Sequence, residues 1–526
     1  MDEESFRFSI ALFEPFSLRS HLVCPACSSE NGKEDGSATK AQRHKVNQNA
    51  LLRVFVAGFK VERGLAMKDF DVVVLGGGPG GYVAAVRSSQ LGLRTALVEK
   101  ENLGGVCLNW GCVPTKSLLQ NAEVVHLLSR GRTFGFEVDH LSANFAEAHK
   151  RSRSVVTRQI RRIQLLMKKY SIAVYEGAGR LKGTNQVEIE PSGERLSARN
   201  IIIATGARPR ELPGNPFDDE RVVQYRKAVD LKELPSSAVI VGGGPIGMEF
   251  ATLWTRYGVK VTVLEMLPHI LPLEDEDISA EAEKQFKRSG MHVFTGARVE
   301  EIRRDDKGAK VRFVTGGKTE EVTADKVLVA VGFAPNSENL GLEQSGVFVT
   351  RGYVDIDLQM RTSVPNIYAI GDVTGKSGLA HTASAQAMIA AEAITGRPTE
   401  ALDYRNIPRC TYAYPESASV GLTEKQAREQ GHEVMVAQAP FAANARALAM
   451  DENFGFVKLV GEAAGKKLLG VHLIGAHVTE LIAGPAALVR KGARVEELGC
   501  TVHPHPSLSE TLMEAAHALM GHAIHI

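Results

Sequence analysis

Two cysteines and a lysine stand close together in "GGVCLNWGCVPTK", residues 104–116: Cys107, Cys112 and Lys116. Cysteines at this spacing could staple a loop, hold a metal or exchange electrons. Five residues span about 17 Å when extended, whereas a disulfide needs its Cα atoms within about 7 Å. Only a turn or a helix start brings the sulfurs together. The stretch after Cys112, "VPTKSLLQNAEVVHLL", has proline early and apolar spacing near 3.6, which predicts such a helix start. A thiol near a helix N-terminus is pushed toward the thiolate, its reactive form. A staple closing so short a loop would stabilise little, and a metal would want further cysteines or histidines nearby in sequence. A redox pair fits best, with Gly104 and Gly105 allowing close approach to a ring.

The elements that must position such a pair announce themselves as an internal echo. "DVVVLGGGPGGYVAAVRSSQLGLRTALVEK" (71–100) is matched by "AVIVGGGPIGMEFATLWTRYGVKVTVLEM" (238–266). In each, an apolar strand runs into GxGxxG, a helical pattern follows, and a second strand ends in an acid, Glu99 or Glu265, 18 residues after the last glycine. Gly76 and Gly242 allow the tight turn, Gly78 and Gly244 let backbone approach a pyrophosphate, and Gly81 and Gly247 let the helix pack on the sheet. The helix N-terminus offers free N–H groups to phosphate, and the acids are placed for a ribose diol. Two complete copies in register predict two nucleotide-binding βαβ units. Glu265 repels a 2′-phosphate and "EMLPHILP" has no arginine to bind one, so the second unit is expected to prefer NAD to NADP.

Three more apolar strands close on glycine: "NIIIATGARP", "KVLVAVGFAPN" and "NIYAIGDVTG", carrying Gly206, Gly332 and Gly371. From about residue 407, strand-like "GFVKLVG" and "LLGVHLIG" followed by helical "VTELIAGPAALVRKG" predict a separate α+β domain.

A chain of 526 residues suits roughly three domains. Its 62 Lys and Arg against 61 Asp and Glu create no global field toward nucleic acid or anionic lipid. No apolar run reaches 18 residues, so no membrane span is expected. Six cysteines are too few for a disulfide scaffold, and "MDEES" is acidic where a signal or transit peptide is basic. A cytoplasmic setting is expected, with the mitochondrial matrix disfavoured. Residues 1–66 show no sustained period. They contain a CxxC, Cys24 and Cys27, without a second pair to complete a zinc site. Two residues separate Met67 from the strand-like "FDVVVL", so the functional chain is expected to begin there, with 1–66 a dispensable extension or the product of a misassigned start.

Taken together, "LGGGPGGYVAA", "GGVCLNWGCVPTK", "IIIATGARPR", "VIVGGGPIGMEF", "NIYAIGDVTG", "LAHTASAQA" and "HPHPSLSE" make residues 68–520 resemble the dihydrolipoamide dehydrogenases, the E3 flavoproteins of 2-oxo acid dehydrogenase complexes. These belong to the pyridine nucleotide–disulfide oxidoreductases. The resemblance implies an α/β fold of two Rossmann-like domains, for FAD and NAD, plus a C-terminal α+β dimerisation domain. The corresponding ranges are 67–222 for FAD, 223–346 for NAD, 347–400 returning to FAD, and 401–526 for the interface. It implies FAD on Gly76, Gly78, Gly81, Glu99, Gly206, Gly371, Asp372 and Ala380, with His381 passing close to the ring. NAD falls to Gly242, Gly244, Gly247, Glu265 and Gly332. Glu249 is expected to pair with Lys116 beside the flavin.

The same resemblance makes His505 and Glu510 a dyad delivered by the partner subunit of a homodimer; His503 nearby is either support or chance. A carboxylate beside an imidazole fixes its tautomer and raises its basicity. It further implies that dihydrolipoamide attacks Cys107, that Cys112 faces the flavin, and that the lipoyl group arrives on an E2 or H-protein domain. "AVGFAPN" lacks the arginine many relatives carry after the glycine, and "LAHTASAQA" is less acidic than in many; neither touches the electron path. Glutathione reductase is disfavoured by Glu265, and mercuric reductase by the absence of a second cysteine pair in "GHAIHI". A flavin-holding scaffold would need a broken electron path, and its residues are all present.

Overall fold

Strand Lys68–Leu75 is apolar where it is buried, and it lies at the middle of a seven-stranded sheet. This computed structural model describes residues 68–526; the extension and its Cys24–Cys27 pair lie outside the described residues. Thr95–Glu99 flanks the central strand in parallel on one side and Glu194–Ile203 on the other. Ala173–Glu176 extends the parallel part, and Ala178–Leu181 and Gln186–Glu190 complete the sheet in antiparallel fashion. Strand Ile367–Ala369 comes back from far along the chain to pair in parallel with Ile201–Ile203 of the first sheet.

The second unit repeats this plan. Ser237–Val241 is central, with Lys260–Leu264 and His292–Phe294 in parallel on one side. Lys326–Val329 and Val222–Val223 lie on the other. A boundary between 222 and 223 therefore cuts a strand of the second sheet. An antiparallel meander, Arg298–Asp305, Gly308–Thr315 and Lys318–Ala324, packs its apolar side on this sheet through Val311 and Phe313. Two short strands, Ala207–Pro209 and Phe333–Pro335, pair where the chain passes between the units.

The C-terminal part is an antiparallel five-stranded sheet in the order Arg409–Thr411, Glu416–Gly421, Leu468–Gly475, Phe456–Glu462, Val434–Pro440. Helix Glu510–Leu519 lays Leu512, Ala515, Ala516 and Leu519 on it. Buried Lys458 on this sheet ties the domains together. Its ammonium meets Asp275 at 2.7 Å, Asp277 at 2.6 Å and Glu424 at 2.9 Å. Asp275 caps the helix Glu276–Arg288 of the second unit, so this ionic cluster holds that unit against the C-terminal sheet. Among the described residues no helix is long and apolar enough to cross a membrane.

Candidate active site

The two glycine loops fold as local copies. Gly76 and Gly242 take φ of +101° and +111°, where a side chain is strained. A Cβ on Gly81 would stand 1.8 Å from the carbonyl oxygen of Gly76, and one on Gly247 2.0 Å from that of Gly242. Those glycines are required by packing. Gly78 and Gly244 differ: both have ordinary extended backbone, and a Cβ there would meet nothing closer than 4.0 Å at Gly78 and nothing within 4 Å at Gly244. Neither strain nor protein packing asks for glycine at these two positions. A phosphate brought against the backbone does, which is how these cradles fit a dinucleotide.

The acids are held identically. Glu99 accepts from Gly77 N–H at 2.6 Å and Glu101 N–H at 2.7 Å; Glu265 accepts from Gly243 N–H at 2.6 Å and Leu267 N–H at 2.8 Å. Each oxygen keeps a lone pair for a further donor. Asp372 follows the φ +74° turn at Gly371, and burial pushes its carboxyl up to about 6. No hydrogen bond among the described residues reaches it. A ligand hydroxyl fits that unmet acceptor. Ala380 opens the helix Ala380–Ile394, and His381 in its first turn engages the carbonyl of Pro408 at 2.9 Å. Gly206 and Gly332, both at positive φ with open space beside them, bracket the crossing between the two units. Phe333, where an arginine is missing, rests on Tyr225.

The cysteine segment lies across the first cradle. Gly104 N–H donates to the carbonyl of Gly77 at 2.8 Å, and a Cβ on Gly105 would come 2.7 Å from Gly78 Cα. The close approach Gly105 permits is to the cradle's own backbone, whereas a Cβ on Gly104 would press on the Leu108 side chain. Cys107 sits in the short helix Gly105–Asn109, and Cys112 is the first residue of helix Cys112–Ser129. Both are free thiols here, and the Cys107 thiol donates to Cys112. That hydrogen bond, with Lys116 adding to it against the cost of burial, lowers Cys112 to about 7. Cys107, which gives up its hydrogen bond if it ionises, is pushed up. The pair should therefore release its first proton near pH 7. Alkylation of the reduced protein by iodoacetamide is expected to climb through pH 7 and level off above it; a rate still rising in proportion to hydroxide at pH 9 would contradict this.

Lys116 is anchored by Glu249, whose oxygens lie 2.8 and 2.7 Å away. Glu249 is buried and also accepts from Tyr412 N–H at 3.0 Å, while the Tyr412 ring lies 4.8 Å from the ammonium. Tyr412 has no motif of its own in the sequence. It follows strand Arg409–Thr411 of the C-terminal domain, and only tertiary structure brings it to Lys116. Arg226, stacked 4.4 Å from the Trp110 ring and paired with Glu101, and Arg153, donating to the Asn109 carbonyl at 2.7 Å, also brace this segment from a distance in sequence.

His505 and Glu510 meet at the start of the last long helix, Nδ1 to Oε1 at 2.9 Å. The other carboxylate oxygen accepts from Ser507 N–H at 2.8 Å. Burial works against the Glu510 charge, but that N–H and His505 hold it below its ordinary value. The imidazole is 74 % exposed, and its Nε2 has no partner among the described residues. His503 is half-buried and its Nε2 is unpaired, so it takes no part in the dyad's hydrogen bonds. No group of three or more metal-ligating side chains occurs among the described residues.

Residues 70–387 match the pyridine nucleotide-disulphide oxidoreductase family and residues 407–516 its dimerisation domain. A dihydrolipoyl dehydrogenase of Mycobacterium leprae is 47% identical over 467 residues, covering 87% of this chain and 100% of the relative. One of Bacillus subtilis is 43% identical over 471 residues, with 87% and 99% covered. Among solved structures, LpdA from Mycobacterium tuberculosis superposes with a TM-score of 0.79 at 30% identity, over 86% of this chain and 100% of that one. The HOCl-induced flavoprotein disulfide reductase RclA from Escherichia coli gives 0.76 at 28%, over 85% and 99%.

Proposed function

This chain belongs to the pyridine nucleotide-disulphide oxidoreductase family, and on that premise we propose that it oxidises protein-bound dihydrolipoamide to lipoamide, with FAD and NAD as cofactors. The observation that carries the reading is geometric: Cys112 is the first residue of a helix whose Lys116, one turn on, is anchored by buried Glu249, with Cys107 in the short helix just before it, a setting that favours Cys112 over Cys107 as the thiolate. When the pair is a disulfide, attack on one sulfur expels the other, and the sulfur of lower pKa leaves faster. Dihydrolipoamide thiolate therefore attacks Cys107 and Cys112 departs as thiolate, held by Lys116. The second substrate sulfur then attacks the first, lipoamide closes its disulfide, and Cys107 is released reduced. His505, fixed by Glu510, takes the substrate's thiol protons on its free Nε2.

Gly76, Gly78, Gly81, Glu99, Gly206, Gly371, Asp372 and Ala380 would hold FAD, with the Lys116–Glu249 pair also serving it; Gly242, Gly244, Gly247, Glu265 and Gly332 would hold NAD. Bound FAD supplies the route by which the electron pair leaves the dithiol and reaches NAD as a hydride. The C-terminal sheet is the surface of a homodimer, and the dyad serves the partner's cysteines, which suits an imidazole facing solvent in the single chain. The enzyme works in the cytoplasm beside an E2 or H-protein carrier.

Gly244→Ala should fold normally and raise the KM for NAD by about tenfold or more while bound FAD is unchanged, since the new methyl stands where the pyrophosphate would lie. Unaltered NAD kinetics would remove this loop from the site. The function itself is tested by steady-state rates for dihydrolipoamide with NAD against glutathione disulfide with NADPH. The first couple should exceed the second by orders of magnitude; a preference for glutathione disulfide with NADPH sinks the reading.

A further inference from the structure

Helix Phe145–Lys169 carries eight Lys and Arg against one Glu, a net +7 in a chain whose total is +1, which leaves the rest at −6. Its apolar side, with Val156, Ile163 and Met167, is buried. Its first half is fastened to the redox segment: Ser152 Oγ donates to the Pro114 carbonyl at 3.0 Å, Arg153 to that of Asn109 at 2.7 Å, and Arg151 to Asn121 Oδ1 at 2.7 Å. The second half continues the exposed side that carries Arg151, seven residues before Arg158. Arg158, Arg161, Arg162, Lys168 and Lys169 are exposed, follow the three- and four-residue spacing of one helix side, and have no ion pair among the described residues.

Ordinary surface helices interleave acids on such a face, because like charges three or four residues apart repel. Here the repulsion stands uncompensated. In the middle of the stripe sits Leu165, 65 % exposed, an apolar side chain ringed by cations. An apolar anchor inside a charged rim is how a protein interface is built, and the field of the rim speeds encounter with a partner of opposite sign.

We propose that this stripe docks the macromolecule that carries the lipoyl group, and that the carrier is acidic where it docks. The proposal rests on the function assigned above. A helix fastened to the cysteine segment at one end and unpaired along the rest of its outer face would hold such a carrier beside Cys107 while its lipoyl arm reaches in. Free dihydrolipoamide, which is small and neutral, gains nothing from the stripe.

The test compares NAD reduction by free dihydrolipoamide and by two dihydrolipoyl-lysine peptides, one flanked by glutamates and one by glutamines. For the wild-type homodimer at low salt, the KM of the glutamate peptide should lie at least about fivefold below that of the glutamine peptide, and the gap should close at high salt. In the variant Arg158→Gln, Arg161→Gln, Arg162→Gln the gap should vanish at low salt, while kinetics with free dihydrolipoamide match wild type. A variant that keeps the preference, or a wild type without one, overturns the proposal. So does a variant that loses retention of an oligonucleotide with peptide kinetics unchanged. If wild type fails to oxidise even free dihydrolipoamide, the assigned function fails, and the docking proposal with it.

Discussion

Cys112→Ser should reduce dihydrolipoamide oxidation by about four orders of magnitude or more while leaving FAD bound. The size follows from removing a covalent participant rather than a helper. A serine at the helix start cannot form the disulfide, cannot leave as a stabilised anion near neutral pH, and cannot hand on electrons. Nothing else should change. Serine is close to cysteine in shape, and the cradle glycines Gly76, Gly78 and Gly81 are untouched. Steady-state rates with the flavin absorbance of the purified variant check both halves. Activity within tenfold of wild type would remove Cys112 from the mechanism.

His505→Gln should cost about 10²- to 10⁴-fold in kcat, the usual contribution of a placed general base. Glutamine can still hydrogen-bond Glu510 but cannot accept and return a proton. The exposed position makes unfolding a poor explanation for any loss. Subunit exchange sharpens the result. Each parent, His505→Gln and Cys112→Ser, should be nearly inactive, yet their mixed dimer should regain one working site in two, because intact cysteines of one chain face the intact dyad of the other. A mixture no more active than its parents would place the dyad on its own chain's cysteines.

Much of this was legible from the residues, for local reasons. GxGxxG declares a turn, a close approach and a packing contact within a few residues, and the 18-residue spacing to Glu99 and Glu265 is one βαβ unit long. The nearness of His505 to Glu510 is likewise local, a loop closing on a helix start. Contacts made by the fold at long range were harder to read. Tyr412 reaches Glu249 across 163 positions, and Lys458 reaches Asp275 across 183. No spacing rule links such residues. Strand Val222–Val223 is short enough that its place in the second sheet depends on its neighbours rather than on its own pattern. The basic stripe is hidden in the sequence for another reason: a whole-chain balance near zero conceals +7 on one helix against −6 elsewhere.

The central claim is that Cys107 and Cys112 are the electron-accepting pair, and thiol labelling tests it most directly. The oxidised protein is treated anaerobically with dihydrolipoamide in the absence of NAD, alkylated, digested and weighed by mass spectrometry, beside an untreated control. The account predicts that label at Cys107 and Cys112 appears only after dihydrolipoamide, and that adding NAD before the alkylating reagent removes it. Equal labelling of the two cysteines with and without dihydrolipoamide, or new label at Cys410 or Cys500 instead, would contradict it.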